Sequence, residues 1–246
     1  MIEPRAAEVD RTQLMLADAL TYLKNSDDVW KTSIIGGVLL LFGFLLIPLF
    51  IVWGYVLRVL DRTAHGDDDA PVFEDWGELT VDGAKAFVVL LAYSLVPVVV
   101  GSVLIGSVWL ATGDSPGSAT AAGTIFGGLV TLVLFVAVAY VTPAALAHLA
   151  SERRIGAGFE FETLRPVLSS GTYAARWLLA LGIVLVGSFV GGLLNVVPFL
   201  GAVLGAIVGF YALVAAYYVI GHAWGDLHVV AVDDRDDDRS SERAAV

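Results

Sequence analysis

The sequence predicts an all-α fold: a polytopic integral membrane helical bundle of five spans, or of three hairpins with a re-entrant first one, with amphipathic interfacial helices on the cytoplasmic side. Three observations carry that reading. Of 246 residues, 57% are hydrophobic, against about 45–50% in soluble domains, and the mean hydropathy is +0.79. The apolar residues gather in five uncharged blocks, Ser33 to Leu57, Ala86 to Ala111, Ala121 to Ala147, Trp177 to Leu194 and Pro198 to Ile220. Each is close to the length that about 30 Å of hydrocarbon requires of a helix, and none alternates apolar with polar as a barrel strand does.

Taken in order, residues 1–32 form a polar segment of mixed charge, and the first apolar block begins too late for a cleavable signal peptide; targeting is expected to rest on the first span. Within this segment Gln13 to Lys24 places Leu16, Ala19, Leu20 and Leu23 on one helical side, as an interfacial helix does. The same order recurs at Phe73 to Phe87 before the second block and at Phe161 to Ala175 before the fourth. An offset of 88 aligns Phe73-Glu74 with Phe161-Glu162, Leu79 with Val167, Gly83 with Gly171 and Ala86 with Ala174. The membrane domain, residues 33–228, therefore reads as carrying an internal repeat, 73–150 and 161–228. A Tyr-Val pair near the exit of three blocks, Tyr55-Val56, Tyr140-Val141 and Tyr218-Val219, points the same way.

The basic residues fix an expected sidedness. Arg58, Arg62 and Lys85, then Arg153, Arg154, Arg165 and Arg176, then Arg235, Arg239 and Arg243 follow alternate blocks, whereas Thr112 to Thr120 and Asn195 to Val197 carry no Lys or Arg. The positive-inside bias makes the basic side, and the C-terminus, cytoplasmic. Arg5, Arg11, Lys24 and Lys31 join that side only if the first block turns back on itself, with Pro48 at the tip of a hairpin. The alternative is one proline-kinked span, which membrane helices tolerate. Tryptophans near the block edges suit the headgroup zone. Residues 229–246 read as an acidic disordered tail.

Composition closes several function classes. No cysteine is present, so disulfides, thiolate metal sites and thiol nucleophiles are excluded. The net charge is −11, with 17 Asp to 8 Glu and 11 Arg to 3 Lys; this Asp-rich, Lys-poor balance resembles that of proteins from salt-loving archaea. The sign and the lack of a basic stripe speak against nucleic-acid binding. The centres of the spans hold no ionisable residue, which disfavours an ion-coupled pump, and no nucleotide-binding or zinc-protease motif is present.

The most specific local signal is a small-residue ladder, Gly201, Gly205 and Gly209, which lets another helix approach closely, either within the chain or at a homo-oligomer seam. Arg58, Arg62, Arg153 and Arg154 read as topology signals that can also meet lipid headgroups. His222, Asp226 and His228, and His65 with Asp67, Asp68 and Asp69, are the nearest approach to a metal site, but their spacing suits interfacial polar groups better; no metal or cofactor is expected. Asp75, Glu78, Glu162 and His148 are the groups a lipid-acting enzyme could use. The bilayer is the expected partner.

The run Ile35-Gly36-Gly37-Val38-Leu39-Leu40, then Leu45-Leu46-Ile47-Pro48, Gly54-Tyr55-Val56-Leu57-Arg58-Val59-Leu60 and Pro71-Val72-Phe73-Glu74-Asp75-Trp76-Gly77-Glu78-Leu79, with Asp82-Gly83 and Lys85-Ala86, resembles the DUF4013 family, integral membrane proteins common in archaea. The resemblance implies the membrane class and transfers no site residue. The functional expectation is a structural or interaction protein of the cell membrane, with a passive transporter or channel component as the alternative and a lipid-acting enzyme behind it.

Overall fold

The computed structural model describes residues 13–25, 29–113 and 117–244, with side chains described to Leu227 apart from those of Lys24 and Asn25. Every described element is helical. Residues 13–21 form α1, continued by a 3-10 turn, Tyr22–Asn25; then follow α2 (Val29–Leu41), α3 (Leu46–Ala64), α4 (Trp76–Thr112), α5 (Ser118–Glu152), a 3-10 turn (Ile155–Phe159), α6 (Phe161–Leu168), α7 (Gly171–Leu194) and α8 (Leu200–Ala244). The starting residues 1–12 and the side chains of the predicted acidic tail lie outside what is described.

The second to fifth apolar blocks each become one long helix, so four helices, α4, α5, α7 and the Leu200–Leu227 part of α8, are long and apolar enough to cross a membrane. The protein is thus a multi-pass helical membrane protein. The first block behaves differently: it is not one kinked helix but two helices joined at Phe42–Leu45. Pro48 is not at that turn. It sits in the first turn of α3, where a backbone N–H has no intrahelical acceptor and its loss costs nothing.

Contacts with α8 set the direction of both arms. Tyr22 meets Tyr218 with ring centroids 4.5 Å apart, while Gly36 lies against Phe210 and Gly37 against Ile207; α2 therefore runs antiparallel to α8. Trp53 meets Tyr217, Thr63 lies on Gly221 and Ala64 on Gly225, so α3 runs parallel to α8. The two arms enter and leave at one end of the bundle, here the polar end, with α2 only about 20 Å long.

At the polar end α3 finishes, α4 begins, α5 finishes and α8 leaves the apolar zone. The buried core concentrates there: Tyr55, Val56, Leu60, Leu79, Val89, Leu146, Leu149, Phe210, Ile220 and Trp224 are all within a few per cent of full burial. Toward the far end α4, α5 and α7 expose Val103, Leu110, Phe126, Val133, Val186 and Phe189, which in a bilayer face lipid tails. Helix pairs close on small residues: a Cβ on Gly83 would overlap the Phe50 carbonyl and one on Gly54 the Leu79 carbonyl, which fixes the α3–α4 crossing, while Gly123 and Gly127 seat Val108 and Ile105 of α4.

The two segments read as equivalent in the sequence differ in structure. The interfacial helix expected at Phe161 to Ala175 is broken into α6 and α7, with Ser170 capping α7 by accepting from the Thr172 N–H at 3.2 Å. Its counterpart at Phe73 to Phe87 is not separate but continuous with α4. The position matching Ser170 is Asp82, whose carboxylate is taken by Lys85 at 2.7 Å, so no cap interrupts the helix.

Candidate functional site

Charged side chains from three helices converge at the polar end. Arg58 and Asp61 lie on one turn of α3, Glu78, Asp82 and Lys85 on one side of the first turns of α4, and Arg153 just past α5. Because α4 is about 55 Å long, its first turns project beyond the hydrocarbon and can carry charge. Arg153 holds the group together: its guanidinium is 3.3 Å from Asp61, 3.0 Å from Glu78 and 3.9 Å from Asp82. Arg58 is 3.2 Å from Glu78 and donates to the Glu74 carbonyl at 2.9 Å. Three carboxylates thus face three cations, and the charges cancel.

Arg153 occupies the left-handed region, φ 53°, and its N–H closes α5 on the Leu149 carbonyl at 2.8 Å. Glycine is the usual residue at such a helix end. Burial works against the Arg153 charge, but Asp61, Asp82 and Glu78 outweigh it and hold the guanidinium above the ordinary arginine range. The cleft between the three helices, lined by Leu57, Asp82, Lys85 and Ala150, has room for little more than one water molecule.

A second group lies beside it. His148, buried under Trp224 with ring centroids 5.2 Å apart, donates from Nε2 to Glu160 at 3.0 Å, and Arg154 reaches the other Glu160 oxygen at 2.6 Å. The His148 hydrogen bond first and Arg154 second hold the Glu160 carboxyl below its usual range. A third group ties the α3–α4 loop to α8: Tyr218 donates to Asp68 at 2.9 Å, His222 lies 3.3 Å from the same carboxylate, and Arg62 is 3.8 Å from Asp67. Arg176 pairs with Asp226 at 2.8 Å.

All four arginines predicted to meet headgroups are therefore engaged by carboxylates of the chain itself. Among the described residues no three His, Asp or Glu side chains converge as metal ligands; His222 turns to Asp68, Asp226 to Arg176, and His228 lies outside the described side chains. Of the four enzyme candidates, Glu78 belongs to the first charge group and His148 to the second, while Asp75 stands at the start of α4 with φ 52° and Glu162 on the exposed side of α6.

The glycine ladder divides. A Cβ on Gly201 would meet the Leu194 carbonyl, and one on Gly205 would lie 3.1 Å from both the Gly191 carbonyl and the Asn195 amide, so both face α7 of the same chain; Gly209 faces open space. The three Tyr-Val tyrosines do related work that their recurrence hinted at but did not specify. Tyr55 donates to the Pro71 carbonyl at 2.9 Å, Tyr140 to Leu168 at 2.8 Å and Tyr218 to Asp68. Each pins a connecting segment at the polar end.

A family model described as DUF4013, protein of unknown function, matches residues 38–196, which is well over half of the chain. The chain belongs to the DUF4013 family. No curated protein and no solved structure matches it. The DUF4013 segment runs from within α2 to just beyond α7, so it contains all of the Arg153 charge group and the Glu160 group. Most of α8, the helix that receives α2 and α3, follows it. The family's description assigns no activity, and no residue role is inherited through it.

Proposed function

We propose that this DUF4013 protein is a structural or interaction protein of the cell membrane, built as three hairpins with the first one re-entrant and with both termini cytoplasmic. The observation that supports this most is the Arg153 group. A site that acts on a substrate keeps charge available to it, whereas here three carboxylates are balanced by three cations around a cleft the size of a water. The groups serve to fix α3, α4 and the end of α5 relative to one another at the membrane surface. The hairpin reading is supported by α2 running antiparallel and α3 parallel to α8, so that both arms open at the polar end; under that topology the fourteen Lys and Arg residues of the sequence are expected on one side, as the positive-inside bias requires. The Asp-rich, Lys-poor composition suits a membrane surface bathed in concentrated salt.

Two experiments test the proposal. Purified protein reconstituted in liposomes is expected to pass glycerol and KCl no faster than empty liposomes in stopped-flow light scattering; saturable flux would replace the structural reading with a passive transporter. Single cysteines at Glu8, Ser118 and Ser240, practicable because the chain has none of its own, are expected to react with an impermeant reagent in intact cells at Ser118 alone. Labelling at Glu8 as well would place the start of the chain outside and rule out the re-entrant hairpin.

A further inference from the structure

The two connections at the far end of the bundle are chemically opposite. Between α4 and α5 the chain reads Gly113-Asp114-Ser115-Pro116-Gly117-Ser118, the composition of a turn that faces water. Between α7 and α8 it reads Asn195-Val196-Val197-Pro198-Phe199, and the apolar run goes on through Leu200 to Leu204. Val196 is 79% and Phe199 90% exposed, so these side chains are not folded back onto the bundle. Asn195, the one polar side chain here, is turned inward: its amide donates to the Gly191 carbonyl at 2.9 Å and lies against Gly205.

The backbone of this turn is largely closed on itself. The N–H groups of Asn195, Val196 and Val197 donate to the carbonyls of Gly191, Leu193 and Leu194, and those of Leu200, Gly201 and Val203 to the carbonyls of Pro198, Val197 and Phe199. Pro198 has no N–H to satisfy. Irregular backbone is excluded from hydrocarbon because its polar groups go unmet; here the donors are met within the turn. Phe199 adds a second sign. Its φ of 61° lies in the left-handed region, which Gly and Asn enter readily and other residues only at a cost. In water the turn would hold a strained residue and bare its ring as well. In lipid the ring is surrounded by acyl chains, which offsets the strain.

We propose that the α7–α8 turn is a lipid-inserted surface: it does not emerge into water but stays in the far leaflet, with Val196, Val197 and Phe199 among the acyl chains. The far aqueous phase then meets the α4–α5 turn and not this one. This needs only the multi-pass bundle and is independent of which way the first hairpin runs. The test uses full-length protein carrying Val197→Cys or Ser118→Cys, spin-labelled in detergent and reconstituted in phosphatidylcholine vesicles. Power saturation compares collisions with oxygen, which concentrates in acyl chains, and with a water-soluble nickel chelate present on both sides. Nickel is expected to dominate at residue 118, and the order to reverse at residue 197. Phe199→Asn gives a second readout. Asparagine relieves the left-handed strain and would stabilise a turn in water, whereas in lipid the loss of the ring is expected to lower the thermal unfolding midpoint. Nickel collision at residue 197 equal to that at 118, little collision with either reagent because a second copy of the chain covers the turn, or a raised midpoint for Phe199→Asn would each overturn the proposal.

Discussion

The indole N–H of Trp177 on α7 donates to the Ala139 carbonyl on α5 at 2.9 Å. Ala139 lies four residues before Pro143, and proline has no N–H to give the carbonyl at that distance. The tryptophan supplies the hydrogen bond the helix lacks there, and the Tyr173 hydroxyl adds a second cross-helix bond to the next carbonyl, that of Tyr140, at 2.9 Å. A local defect in α5 is thereby converted into a contact that ties α7 to α5.

Trp177→Phe is expected to cost about 1 kcal/mol of stability, the usual worth of one hydrogen bond within a membrane bundle. In a Pro143→Ala background, where residue 143 regains its N–H, the same change is expected to cost less. Unfolding equilibria of the four proteins in micelles measure the coupling; strictly additive losses would show that the two residues act independently.

Close helix approach makes a contrast between two glycines. Gly83→Ala drives a methyl into the Phe50 carbonyl and is expected to destabilise by about 1–3 kcal/mol, the range for overpacking. Gly209→Ala meets nothing within 4 Å and is expected to stabilise by about 0.5–1 kcal/mol through the better helix former. A drop in oligomer size for Gly209→Ala, read by light scattering, would instead mark that part of the ladder as a seam between copies.

Arg153 combines a strained backbone with the central charge of its group. Arg153→Ala loses the ion pairs and keeps the left-handed strain, whereas Arg153→Gly loses the pairs and relieves it. The glycine variant is expected to be the more stable of the two by about 1 kcal/mol, with both below wild type. Chemical denaturation at fixed salt checks the order.

The lowered Glu160 pKa gives a pH dependence of definite sign. A carboxyl whose folded pKa is depressed contributes stability that is full above its unfolded value, near 4.5, and is lost as the pH falls through the lower folded value. Melting temperatures are therefore expected to fall as the pH drops below about 4.5, and Glu160→Gln to flatten that part of the curve. An identical acid limb in the variant would assign the loss to other carboxylates.

What was legible in the sequence follows from the physics each feature obeys. The second to fifth blocks became single helices because long uncharged runs admit few other structures in lipid. The turn at Phe42–Leu45 was hidden because its residues are as apolar as their neighbours, and Pro48 drew attention to a position where proline is harmless. The break before α7 is written in Ser169-Ser170-Gly171, and the lack of one in α4 depends on Asp82 being spent on Lys85. The charge groups were not legible. Arg153 reaches carboxylates 75 and 92 positions away in the chain, and basic residues look alike in a topology count whether or not they are paired.

The first hairpin also sets the order of assembly. Its main surface, from Gly36 and Gly37 to Thr63 and Ala64, is completed by α8, which is made long after it. With about 160 residues between the end of α3 and Leu227, a ribosome adding about 5–20 residues per second leaves the newborn hairpin waiting roughly ten seconds or more for its partner. Through that interval its Gly36 and Gly37 face is bare, so a chain cut short before α8 should be a ready substrate for membrane quality-control proteases.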